Sequence, residues 1–216
     1  VREAAERAGL GPNDVELLTA ATTGPDMLAP GHAGMVHGEL GYRPMEISTS
    51  AGICGSGMMA LKNAYLQVAI GRSATRSASP ASWAPAFSST RYDEMRLLAQ
   101  DGSLPLEAAF LRYMLAAGAG AAVIENAPAA SVISLRIDWI LLTSFANTEK
   151  TCMYGGSNSN SAMRSWLDYP TSAAAAADGA LVLRLDLSLL PHLVCVGADE
   201  WERLCKLGKF DPDTLT

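Results

Sequence analysis

The stretch Glu46-Ile-Ser-Thr-Ser-Ala-Gly-Ile-Cys-Gly-Ser-Gly-Met58 holds the side chain with the most chemistry to offer, Cys54, with Gly52, Gly55 and Gly57 around it. Glycines at that density let the backbone bend sharply and other atoms come close. Beyond them Met58, Leu61, Ala64, Tyr65, Val68 and Ala69 recur at helical spacing, and Gly71 can end the helix. A short strand, a tight turn and a helix are predicted, with Cys54 at the junction. A cysteine at a helix start faces unpaired N–H groups and the positive end of the dipole. Both favour the thiolate, the form that attacks a carbonyl carbon.

Three readings compete for this stretch. The first is a buried, inert structural cysteine. The second is a dinucleotide loop, because Gly55-Ser-Gly-Met-Met-Ala60 fits G-x-G-x-x-A. That fingerprint wants an acidic residue roughly 20 positions on. Thr75-Arg-Ser-Ala-Ser-Pro-Ala-Ser82 supplies none, so this reading is set aside. The third is an acyl-transfer nucleophile, of which Gly52-Ile-Cys-Gly-Ser56 gives a partial echo of the G-x-S-x-G elbow. His32 and His37 precede Cys54 and read as solvated or capping histidines, the alternative being a base for the thiol.

The elements that must position Cys54 follow from hydrophobic patterning. Val1, Ala4, Ala5 and Ala8 lie on one side of a first amphipathic helix, closed by Gly9 and the turn Gly11-Pro-Asn-Asp14. Val15 to Ala21 reads as a buried strand, and residues 30–40 as a helix packing through Ala33, Met35, Val36 and Leu40. Thr75 to Ser82 should be a strand beside the Cys54 strand, short or frayed because Pro80 cannot donate to a ladder. Glu107 to Leu115 reads as a short helix. Ser131 to Leu142 alternates as a strand through Val132, Ile133, Leu135, Ile137, Trp139 and Leu141. Thr143 to Pro170 reads as a long loop. Ala173 to Ala177 is a helix-forming run. Ala180 to Leu190 fits strand by period and helix by leucine content, and stays open. Val194 to Leu207 reads as a helix with Trp201, Leu204 and Cys205 inward and Asp199, Glu200, Glu202 and Arg203 outward.

Composition narrows the classes. The chain has 216 residues, 49% of them hydrophobic, enough to bury a sizeable core. Only 18% are charged and the net charge is −6, against the basic face that nucleic acid requires. No apolar run is long enough to span a membrane, and the N-terminus has no signal-peptide pattern. Cys54, Cys152, Cys195 and Cys205 form no C-x-x-C and no zinc-ligand spacing, so no metal is expected, and a reduced, cytoplasmic protein is the natural reading.

Strand, small residues, Cys54, Gly-Ser-Gly and an apolar helix together resemble the thiolase-like condensing enzymes, particularly β-ketoacyl-acyl-carrier-protein synthase III. Two further motifs fall in that family's order. Leu17-Leu-Thr-Ala-Ala-Thr-Thr-Gly-Pro-Asp26 looks like its first strand and substrate-side loop, and Ala117-Gly-Ala-Gly-Ala-Ala-Val-Ile124 looks like its Gly-Ala-Gly-Ala strand, there placed at a crowded sheet centre. Ala117 stands where the family usually has Asp. Gly197-Ala-Asp-Glu-Trp-Glu-Arg203 and Cys152-Met-Tyr154 look like the branch that builds dialkylresorcinol-type products.

The resemblance implies an α/β, thiolase-like layered fold (αβαβα), incomplete and covering mainly the N-terminal half. Residues 1–127 would be that half, and 128–216 a connecting strand, a loop or lid and the start of the second half. Cys54 would accept an acyl group from a coenzyme A or acyl-carrier-protein thioester, with Gly52 and Gly55 shaping the turn and oxyanion side. Trp83 and Phe87 would line an acyl pocket. No cofactor is implied beyond the thioester substrates, and a homodimer is implied as partner state. The family's His and Asn come from its second half, so the chain is expected to be a fragment that is acylated but impaired in condensation. Two alternatives remain: a non-catalytic chain acting through association with a partner, and a cysteine hydrolase of another fold that would have only His192 after Cys54.

Overall fold

The computed structural model describes residues 1–24, 27, 29–71, 77–82, 106–115, 118–127, 134–158, 164–208 and 211. They form two compact units, one built from residues 1–87 and 116–142 and the other from 88–115 and 143–216.

The first unit is organised around β1 (Leu17–Thr22), buried at all six positions. A strand covered on both faces needs a continuous run of apolar or small side chains, and Leu-Leu-Thr-Ala-Ala-Thr is one. β1 lies between β2 (Glu46–Ala51) and β3 (Ser77–Ser82), parallel to both, and β4 (Ala119–Ile124) closes the sheet antiparallel to β3, in the order β2-β1-β3-β4. The helix α1 (Arg2–Arg7) buries Ala5 and ends before Gly9, whose φ of 71° suits glycine. The connection from β1 to β2 carries α2 (His32–Leu40). The connection from β2 back across β1 to β3 carries α3 (Ser56–Ala69). These crossovers run in opposite directions, so right-handedness puts the two helices on opposite faces. Side-chain contacts agree: Ile47 and Thr49 meet the α2 side, and Ser48, one residue out of phase, meets α3.

Small residues let α3 sit close to the sheet. It turns Ser56, Ala60, Ala64 and Val68 inward at a strict four-residue spacing. On the other face Val15 and Leu18 form a cluster against Val1, Val36, Leu40, Tyr42 and Met45.

Four expectations for this unit are corrected. β3 lies beside β1 and not beside the Cys54 strand β2, and it is not short, since six residues pair with β4 without a break. The expected fraying is confined to the β1 side, where the register skips Ser79 and Pro80, a proline having no N–H to give. Among the described residues β4 pairs with β3 alone and is not at a crowded centre; added Cβ atoms at Gly118 and Gly120 would meet nothing within 4 Å. The alternating segment before Leu142 forms no strand over residues 134–142, and Leu135 and Trp139 are exposed. Alternation marks which face a strand would bury, but a ladder also needs a partner edge. His32 is buried, not solvated, at the first turn of α2. His37 is held by the loop after its helix, its Nε2–H donating to the Arg43 carbonyl at 3.1 Å.

The second unit contains α4 (Leu106–Met114), the antiparallel two-residue strands β5 (Met153–Tyr154) and β6 (Arg184–Leu185), α5 (Ser172–Ala177) and α6 (Leu190–Gly208). α4 packs on β6. Thr171 caps α5 by accepting the Ala174 amide at 3.1 Å. Ala180 to Leu190 is neither one strand nor one helix: Val182 to Leu185 are buried, a single 3₁₀ turn covers Leu187–Leu189, and α6 follows. Trp201 is exposed rather than inward. Glu200 takes the inward stripe instead, with its side chain 15% exposed and bound to Thr143 and Arg203.

Candidate active site

Cys54 sits in the four-residue turn, residues 52–55, that joins the end of β2 to the first residue of α3. Its thiol is free and exposed, which excludes the buried structural reading. Two consecutive residues before it have positive φ, Gly52 at 132° and Ile53 at 50°. Gly52 takes a value that side chains rarely adopt and faces open space. Ile53 is a β-branched residue in the left-handed region, a genuine outlier. Gly55 is the N-cap of α3, in αR conformation and with no side-chain cap.

Hydrogen bonds hold this turn from both sides. The Ile53 amide donates to the Thr23 carbonyl at 3.1 Å, fastening the turn to the loop after β1. That loop is itself fixed by the buried Thr22 hydroxyl donating to the Gly24 carbonyl at 2.8 Å. The Ile53 carbonyl accepts the Ser56 hydroxyl at 2.9 Å and the Ser56 amide at 3.4 Å. Sequence reasoning missed Ile53, Ser56 and Thr23, because nothing in a residue list announces a left-handed isoleucine.

Cys54, Gly52 and Gly55 are therefore brought together, with Gly52 bending the chain and Gly55 opening the helix. Trp83 and Phe87 lie outside the described residues, as does Ala117. Cys195 and Cys205 lie on α6, and Cys152 precedes β5. Burial, and then the Asp186 carboxylate, push the Cys152 thiol up. His192 belongs to the second unit, where its Nε2 pairs with Glu149 Oε2 at 2.6 Å beside a pocket of about 240 Å³ lined by Thr148, Lys150 and Leu189 among others. Among the described residues no group of three or more His, Cys, Asp or Glu could hold a metal ion, and no helix is long and apolar enough to cross a membrane.

No family model matches the sequence, and no curated protein matches it. Solved structures do. AbyA1, a tetronic acid condensing enzyme, matches 99% of this chain with a TM-score of 0.67 and 22% identity. OleA from Xanthomonas campestris, in the crystal structure of a single-residue variant, matches 56% of this chain and 37% of its own, with a TM-score of 0.47 and 22% identity. The 3-oxoacyl-[acyl-carrier-protein] synthase III of Aquifex aeolicus matches 58% of this chain and 36% of its own, with a TM-score of 0.42 and 18% identity. The fold is the thiolase-like α/β fold of the condensing enzymes. The chain spans 57% of the length of AbyA1.

Proposed function

We propose that this chain is an acyltransferase of the condensing-enzyme type and that Cys54 is its acyl acceptor. The observation that carries this reading is an exposed free thiol in a braced strand-to-helix turn of a thiolase-like fold. The Cys54 sulfur attacks the carbonyl carbon of a coenzyme A or carrier-protein thioester. A tetrahedral oxyanion forms, the carbon–sulfur bond to the donor breaks, and the Cys54 proton ends on the departing thiol. One thioester is exchanged for another, so the step needs no oxidant, metal or cofactor. Gly52 and Gly55, which put no side chain against the turn, let the thioester approach the backbone.

Condensation is a separate step. A malonyl thioester loses carbon dioxide, and its carbanion attacks the acyl group on Cys54. Donors must meet the charge that develops on the malonyl carbonyl, and each one lost typically costs about a hundredfold or more. In the resembled enzymes a His and an Asn supply them, so acylation of Cys54 and condensation are read as separate steps. Acylation by labelled acyl-coenzyme A, followed by mass and lost in Cys54→Ala, tests the reading.

A second reading is non-catalytic association with a partner or with another copy. It is favoured by Met59 and Leu66 on an exposed side of α3, by Ile70 at its C-cap, and by Leu135 and Trp139.

A further inference from the structure

We infer that Ser56 is a positioning residue for Cys54, acting through the carbonyl of Ile53; this rests on the reading of Cys54 as the acyl acceptor.

Ser56 is the first residue of α3 and is 3% exposed. A serine one position earlier, at the N-cap, would accept an amide from the first turn of the helix. Ser56 does the opposite, donating its hydroxyl backwards to the carbonyl three residues earlier, at 2.9 Å. The carbonyl it holds belongs to the peptide between Ile53 and Cys54. That peptide is planar, so its N–H, the amide of Cys54 itself, points opposite to the C=O. Fixing one fixes the other.

Ile53 shows that the fixing is demanding. Its φ of 50° is unfavourable for a β-branched side chain. Such a conformation persists only where the surroundings over-determine it. Here the peptide before Ile53 is tied to Thr23 and the peptide after it to Ser56. Without the hydroxyl, one tie is lost and the turn can relax toward a negative φ, which swings the Cys54 amide and the Cys54 side chain together.

The test compares wild type with Ser56→Thr and Ser56→Val in the full chain. Threonine and valine have the same shape and differ in the hydroxyl, so any cost of the extra methyl group cancels between them. Iodoacetamide labelling of Cys54 is read by peptide mass against Cys195 in the same molecules, an exposed thiol in the other unit. Labelling of Cys54 relative to Cys195 should be about fivefold slower in Ser56→Val than in Ser56→Thr, the factor that one net hydrogen bond represents. Equal ratios in the two variants overturn the proposal. Acylation by an acyl-coenzyme A should fall in step with labelling. A wild type that labels at Cys54 but takes no acyl group contradicts the acyl-acceptor reading, while the threonine–valine comparison still decides the role of Ser56.

Discussion

The Asn63 carboxamide donates to the Ser48 hydroxyl at 2.8 Å, tying the helix that follows Cys54 to the strand that precedes it. The bond is half-buried and spans both arms of the turn. Its loss leaves Ser48 without that donor while the apolar contacts of α3 remain. Asn63→Ala should lower stability by about 1 kcal/mol, measured by urea unfolding. An unchanged midpoint would show that Ala60, Ala64 and Val68 alone hold α3.

A similar tie anchors α2. Thr49 Oγ1 accepts the Ala33 amide at 2.9 Å, a cap borrowed from β2 because Gly31, the N-cap, has no side chain. Thr49→Val should cost about 1 kcal/mol and Thr49→Ser much less. A Cβ added at Gly31 would lie 2.9 Å from the same Oγ1. Gly31→Ala should therefore be destabilising in wild type and markedly less so in Thr49→Ala. Additive costs in that double-mutant cycle would contradict the shared contact.

Acid should loosen α6 late. Arg203 donates to both carboxylate oxygens of Glu200 at 2.5 and 2.6 Å, and Thr143 donates at 2.5 Å, which together pull that carboxyl from 4.5 down to about 2. A carboxyl with a depressed native pKa stabilises fully above its unfolded value and loses that contribution as pH falls through the native one. The advantage of wild type over Glu200→Gln should be constant above pH 4.5 and shrink as pH is lowered toward 2. Urea midpoints across that range check it, and a difference that stays constant would refute it.

Much of this was legible from patterning. Val15 to Ala21 reads as a buried strand, and β1 is one, buried at all six positions of Leu17–Thr22; the four-residue rhythm of α3 is plain. What failed depended on partners. Leu135, Ile137 and Trp139 alternate like a strand, yet no neighbouring edge pairs with residues 134–142. Glu200 looked like a solvent-facing charge because periodicity ranks side chains by polarity, and it cannot see Arg203 and Thr143 converge on the carboxylate. β5 and β6 are two residues each, too short to carry a period. One signal was present and unread: Ser165-Trp-Leu-Asp168 is a capping box, with both reciprocal bonds formed. At the candidate site, Cys54, Gly52 and Gly55 were readable from type and spacing. Ile53 and Ser56 were not, because their role lies in a backbone angle and in the direction of one hydroxyl.

The exposed apolar residues predict self-association. Met59 and Leu66 on α3 and Ile70 at its C-cap should drive concentration-dependent growth of apparent mass in sizing chromatography, and Leu66→Glu with Ile70→Lys should suppress it. A wild type that elutes as a monomer at every concentration would argue against the association reading.

The most direct test of Cys54 as acyl acceptor is the fate of an acyl group offered to it. Wild type, Cys54→Ala and Cys195→Ala are incubated with radiolabelled acyl-coenzyme A, with and without malonyl-carrier protein, and the label is mapped by peptide mass while products are extracted. The expected result is label on Cys54 in wild type and in Cys195→Ala, none in Cys54→Ala, and no β-ketoacyl product from Cys54→Ala. Label spread evenly over the four cysteines, or none at all, would contradict Cys54 as acyl acceptor. β-Ketoacyl product formed by Cys54→Ala as fast as by wild type would contradict it as well.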